Sequence, residues 1–358
     1  MIRNKGSHAV SLWIAIGLVM LIIQVLLGGI TRLTGSGLSI TEWKVVTGTL
    51  PPLTEDEWNV QFNQYKATPQ YNFLNSDFTL ADFKFIFFWE WLHRFWARLI
   101  GVVFVTGFIF LAIKRYLKKE MVIPLVILFI LGGLQGAVGW IMVLSGLTGD
   151  AVYVKPLSLM LHFLFALALI VYTFLFFLKL RIPEDMRIAS KRARIFLSLI
   201  IMLLFIQLAF GALMSGHKAA SAAPTWPDIN ESFFPAAAWK PEGGPRNLVE
   251  NKLTIHFIHR STGYILFILI LCYSVYALRN LKTTSSIRRG APIPLILIFI
   301  QVSLGIAAVL LSPRIIANGW GQFETVAIMH QAVAILLLLS LVYQFYLVNR
   351  KISPDYHN

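Results

Sequence analysis

Four histidines, His93, His162, His259 and His330, stand inside long apolar runs. An ionisable side chain there is costly and turns toward the interior of a helix bundle or a cavity. The four form two pairs: His259 and His330 follow His93 and His162 by 166 and 168 residues, and His93-Arg94 recurs as His259-Arg260. The basic residues that close the four runs (Lys114, Lys179, Arg279, Arg350) lie 21, 17, 20 and 20 residues further on. At 1.5 Å per residue that is roughly 25–32 Å, which sets all four in one layer near the outer face of a hydrocarbon core about 30 Å thick. A single such imidazole ordinarily hydrogen-bonds between helices. Two per half at one depth suit the two axial positions of a haem iron. Zinc, the competing metal, asks for three or four ligands in a tetrahedron. Each half offers two histidines and few carboxylates, and with one cysteine, Cys272, a thiol-only site is excluded.

The halves differ three residues before the His-Arg pair, where Glu90 in the first corresponds to His256 in the second. Spacing i, i+3 places each on the face of its histidine. A carboxylate beside one site and an imidazole beside the other suggest an active half and a cofactor-only half. Against this stands the reading that Glu90 lies in the wet interface and pairs with Arg94 or Arg98, and His256 is an alternative to His259 as ligand. Arg94 and Arg260 suit the binding of haem carboxylates at the outer rim, or the anchoring of a helix end by snorkelling. The aromatics around His93 (Phe85, Phe87, Phe88, Trp89, Phe95, Trp96) would wrap a porphyrin or simply face core and lipid. His8, His217 and His357 fall in tails or loops and are assigned no role.

Elements that could position these groups follow from composition. The 358 residues are 57% hydrophobic and 13% charged, with mean hydropathy +0.70, which excludes a large soluble domain and marks a membrane protein. Apolar runs at about 9–30, 89–113, 121–144, 156–178, 194–214, 254–278, 292–312 and 326–348 are each long enough to span as a helix. The first lacks a small-x-small cleavage site and reads as a true span. The fold expected is all-α and polytopic, with eight transmembrane helices as two pseudo-symmetric four-helix bundles, residues 1–190 and 191–358. A second landmark supports the repeat: Q-x-x-x-G occurs at Gln24–Gly28, Gln135–Gly139, Gln207–Gly211 and Gln301–Gly305, late in the first and third helix of each half. It reads either as a helix-packing device or as room for a flat ligand.

The net charge of +14 is topogenic, since 18 of the 31 Lys and Arg fall in the links after spans two, four and six and in the two tails. The positive-inside rule puts these segments, and both termini, in the cytoplasm. Nucleic acid is excluded as a partner, and membrane lipid is implied. The long outer segments are about 31–88, where Thr54 and Glu57 signal a capping box opening a short helix, and 215–253, an Ala/Pro/Trp-rich loop expected to lie over the bundle.

With these residues in place, a family resemblance is evident. The stretches Gly28-Gly-Ile-Thr-Arg-Leu-Thr-Gly-Ser-Gly37, Ile40-Thr-Glu-Trp-Lys44, Gly48-Thr-Leu-Pro-Pro-Leu53, Phe83-Lys-Phe85, Glu90-Trp-Leu-His-Arg94, Leu134-Gln-Gly-Ala-Val-Gly-Trp140 and His330-Gln331 resemble haem A synthase, in the branch shared by mitochondria and many bacteria. The resemblance runs from about residue 9 to 348. It implies an eight-helix enzyme of the cell inner membrane that oxidises the C8 methyl of haem O to the formyl group of haem A for terminal oxidases. By position it implies that His93 and His162 flank the substrate haem, that His259 and His330 ligate a haem b cofactor, and that Glu90 is the acidic residue of the catalytic site. The partners it brings in are haem O synthase, oxidase assembly factors, an unidentified electron donor, and a further copy of the chain as an oligomer. The other branch of the family has a cysteine pair in outer loops that this chain lacks. The rival class is a bis-histidine dihaem electron carrier that oxidises quinol, which needs two haems and no reactive carboxylate. A transporter is a weaker third, because its ionisable residues belong near mid-bilayer.

Overall fold

The computed structural model describes residues 5–42, 47–281, 286–316 and 318–349. Trp43 and Lys44 of the quoted motifs, the basic residues Arg3, Lys282, Arg350 and Lys351, and His357 lie outside them. Eight helices are long and apolar enough to cross a membrane: α1 (Lys5–Leu33), α4 (Leu80–Ile113), α5 (Lys119–Leu144), α6 (Pro156–Arg181), α7 (Lys191–Gly216), α9 (Lys252–Asn280), α11 (Pro292–Leu311) and α12 (Gln322–Val348). Between them lie the shorter helices α2 (Glu55–Lys66), α3 (Pro69–Leu74), α8 (Asn247–Glu250) and α10 (Ser286–Gly290). Among the described residues the β-structure is one isolated bridge, Ala189 to Asn349.

Local chemistry sets the helix ends. Thr54 caps α2 and Glu57 returns the bond to the cap backbone, as the sequence predicts. The second span differs from expectation, because α4 starts at Leu80 and not near 89. Thr79 and Asp82 form a second capping box, which opens the helix before the apolar run begins. The added turns carry Phe83, Ile86 and Phe87 into an outer aromatic cluster with Phe62 and Tyr65 of α2. Phe87 thus packs outward of the histidine level, while Phe85 and Phe88 are exposed. Proline at the first turn opens α6 and α11, where its missing N–H would lack an intrahelical partner in any case.

α1 lies against α4 and α6, and α5 against α6; α7 lies against α9 and α12, and α11 against α9 and α12; α6 lies against α7 as extensively as neighbours within either half. The pairings α1–α4, α5–α6 and α1–α6 recur as α7–α9, α11–α12 and α7–α12, at the corresponding positions of the sequence repeat. One apolar core joins α6, α7, α9 and α12 with parts of α1 and α11. A second fills the space between α1, α4, α5 and α6. Polar ties between the two halves of the sequence include Gln331 Nε2 of α12, which donates to the Val25 carbonyl of α1 at 2.8 Å, Asn318 Nδ2, which donates to Asn75 Oδ1 at 2.8 Å, and Lys218 Nζ, which donates to the Tyr153 hydroxyl at 2.6 Å.

Candidate functional site

Each of the four histidines faces the Q-x-x-x-G segment of a neighbouring helix. Gln24 of α1 donates from Nε2 to the backbone carbonyl of His93 on α4 at 3.2 Å and lies 3.2 and 3.3 Å from its ring nitrogens. Gln135 of α5 does the same to His162 on α6, at 3.1 Å to the carbonyl and 3.2 and 3.4 Å to the ring. Gln207 of α7 reaches the His259 carbonyl at 2.9 Å and its Nε2 at 3.4 Å. Gln301 of α11 lies 3.1 Å from His330 Nε2, and the ring's Nδ1 donates to the Gln301 carbonyl at 3.1 Å.

The glycine of each motif makes room for the same ring. A Cβ placed on Gly28, Gly139, Gly211 or Gly305 would stand 3.1, 2.8, 3.2 or 3.0 Å from Cε1 of His93, His162, His259 or His330. Since Gln and Gly sit i, i+4 on one helical face, the pattern answers to the first of the two sequence readings. It is a close-packing device, and what it packs is an imidazole.

These surroundings suit an iron porphyrin. The ring centres of His259 and His330 are 6.4 Å apart, and two imidazoles sharing one metal through bonds of about 2 Å, with roughly 1 Å more to each ring centre, need about 6 Å. His330 gives its Nδ1–H to a carbonyl, the usual support for a ligand that offers Nε2 to a metal. His259 Nδ1 and the Oε1 atoms of Gln24, Gln135 and Gln301 are buried without hydrogen-bond partners, polar atoms left for something besides protein. Among the described residues no three His, Cys, Asp or Glu side chains converge.

Glu90 is buried, one helical turn outward of His93. Its Oε1 pairs with Arg94 Nη2 at 2.5 Å, and its Oε2 accepts from Ser39 Oγ at 2.7 Å and from the Ile40 backbone N–H at 2.9 Å. Pairing with Arg94 was legible from the i+4 spacing. The pair is enclosed, however, with Glu90 3% and Arg94 12% exposed, which is not a wet interface. What encloses it is the segment after α1. Gly35, at φ +68°, turns the chain, Thr34 Oγ1 and Ser36 Oγ hydrogen-bond at 2.6 Å, and Ser39 and Ile40 arrive over α4. A side chain at Gly35 would be strained by that φ and would meet Asn318 Oδ1 at 2.5 Å.

Both arginines of the His-Arg pairs are engaged with outer-segment backbone. Arg94 donates to the carbonyls of Ile40 and Glu42, and Arg260 to those of Ala223, Thr225 and Asp228. Each fastens a loop to the helix that carries its histidine, a set of contacts the sequence reading did not anticipate. His256 is fully buried beside the backbone at Ala220, with both ring nitrogens lacking a hydrogen-bond partner. His217 donates to the Val249 carbonyl and serves the loop.

Residues 11–342 match the model of the family described as cytochrome oxidase assembly protein. The chain is similar to heme A synthases of Paracoccus denitrificans, 39% identical over 86% of this chain and 82% of that one, and of Rhodopseudomonas palustris, 39% over 94% and 88%. A heme A synthase of Bradyrhizobium diazoefficiens is 39% identical over 95% of this chain and 92% of its own.

Proposed function

The chain belongs to the cytochrome oxidase assembly protein family, and on that premise we propose that it is a membrane oxidoreductase that converts haem O to haem A by oxidising the C8 methyl to a formyl group. The observation that carries this reading is the recurrence of four imidazoles, each seated against a Gly with a Gln amide at its ring edge.

His259 and His330 hold a resident haem b, supported by their 6.4 Å ring separation and the Nδ1–H of His330 on a carbonyl. His93 and His162 flank the substrate haem, because only that side carries a carboxylate, Glu90, within one turn of a ligand. Residues 1–190 then form the substrate half and 191–358 the cofactor half. When bound, haem supplies the electron chemistry that a methyl C–H bond demands and that no side chain offers. The protein's part is placement and field. The three donors on Glu90 hold its carboxylate in one position, where it stabilises positive charge developing at the reacting methyl and offers an acceptor for the departing proton. Arg94 and Arg260 hold the outer segments closed over the two sites and place positive charge at the level of the haem carboxylates. The inward tails follow from the distribution of Lys and Arg, and the eight long apolar helices support a multi-pass membrane setting. Haem O synthase and oxidase assembly factors are the neighbours this reaction implies.

The test is expression in a host that makes haem O but no haem A, with membrane pigments extracted and identified by mass. Appearance of haem A is expected; unchanged haem O would overturn the reading.

A further inference from the structure

An imidazole has a broad, roughly two-fold torsion about its last bond, so a histidine presented to a ligand must be held by something outside its own side chain. On each of the four histidines the same two contacts do this. The Gly removes the Cβ that would meet Cε1, which lets the ring edge lie against the neighbouring helix. The Gln amide then closes on that edge. In three of the four seats Nε2 is simultaneously bound to the histidine's own backbone carbonyl, so the amide swings away only by giving up that bond. In the fourth the roles divide, with Gln301 Nε2 at the ring and its backbone carbonyl on Nδ1.

We infer that Gln24, Gln135, Gln207 and Gln301 are positioning residues that fix the rotational setting of the imidazoles they face, and through it the electronic state of the iron those imidazoles hold. This rests on the four histidines being haem ligands. The seats are not equivalent. The Gln207 carbonyl accepts from Thr262 Oγ1, one turn after His259, and a Cβ on Gly263 would come within 3.4 Å of Gln207 Nε2. The other three glutamine carbonyls are buried without partners. The Gln207 side chain is therefore the most tightly held of the four, in the half proposed to keep its haem, while Gln24 and Gln135, with unpartnered carbonyls, retain freedom to readjust around a haem that enters and leaves.

The experiment uses purified full-length protein with its resident haem. Gln207→Leu and Gln301→Leu are compared with the parent by low-temperature electron paramagnetic resonance of the oxidised haem and by redox titration. Retained haem, with a changed low-spin signal and a midpoint potential moved beyond replicate scatter, is expected; an identical signal and potential in both variants would overturn the proposal. Gln24→Leu is expected to leave the resident haem's signal unchanged, and a change there as large as in Gln301→Leu would also count against it. Should Gln207→Leu fail to accumulate, Thr262→Val removes the support of the Gln207 carbonyl together with the hydroxyl's bonds to the Ile258 and His259 carbonyls of its own helix: a smaller shift in the same direction supports the inference, and no shift refutes it. His330→Met in parallel separates the two layers of the argument. If it alters the haem spectrum while the glutamine variants do not, only the positioning role falls. If it too changes nothing, the ligand assignment itself falls.

Discussion

Replacing Glu90 with Gln keeps shape and removes charge, and the structure fixes what that costs. One carboxylate oxygen faces the Arg94 guanidinium and the other faces Ser39 Oγ and the Ile40 N–H. Whichever way the amide turns, its NH2 meets a donor and at least one bond is lost, about 1 kcal/mol, while the Arg94 bond falls from a charged to a neutral one, about 1–2 kcal/mol more. The expected destabilisation is about 2–3 kcal/mol, absorbed in part by the two carbonyls that Arg94 keeps. A purely structural Glu90 would show that loss in thermal stability and leave turnover per loaded enzyme near the parental value. If the carboxylate acts on the reacting methyl, turnover falls by roughly 10²-fold or more, about 2.7 kcal/mol in the barrier, in protein that still carries its haem. The assay is haem A formed per haem-loaded molecule, read beside a melting curve. Parental turnover in Glu90→Gln would refute the catalytic reasoning and leave the residue as a clamp for residues 39–42.

Gly139→Ala places a methyl 2.8 Å from His162 Cε1 and should displace the ring and lower haem occupancy of the first half, whereas Gly101→Ala, with nothing within 4 Å, should be silent in pigment analysis. Arg260→Gln removes charge-assisted bonds to three loop carbonyls, each contributing about 1.5–3 kcal/mol, and limited proteolysis should then cut within residues 222–230 faster than in the parent. Burial pushes the Tyr65 phenol up from 10.0 to about 12. The folded state thus favours the neutral form, and the outer cap should hold its stability up to about pH 10 and lose it as pH climbs toward 12; equal melting across that range would contradict the placement of Tyr65 between Gln70 and Asn75.

The spans were legible because eight apolar runs of sufficient length leave little alternative in a bilayer. The start of α4 was not, since Asp82 and Lys84 interrupt the apolar run in its first turns. The decisive signal was the Thr79–Asp82 capping box, of the same kind that did reveal α2. The paired histidines could be read from spacing, and Arg94 from its i+4 place after Glu90. The partners that arrive from elsewhere in the chain could not. Ser39 and Ile40 reach Glu90 from 51 and 50 residues away, and each Gln meets its His across a helix interface. Periodicity within one helix says nothing about which helix faces it, so Q-x-x-x-G stayed ambiguous until the pairings α1–α4, α5–α6, α7–α9 and α11–α12 were known. Thr262 behind Gln207 and Gln331 on the Val25 carbonyl belong to the same class of cross-helix contacts.

The most direct measurement on the central claim is the pigment content of the purified protein, isolated from a host that makes haem O. The account predicts haem b together with haem O or haem A, with the haem O fraction converting to haem A when an electron donor and oxygen are supplied. Two equivalents of haem b, and no haem O or haem A under any condition, would contradict it and assign the four histidines to a dihaem electron carrier.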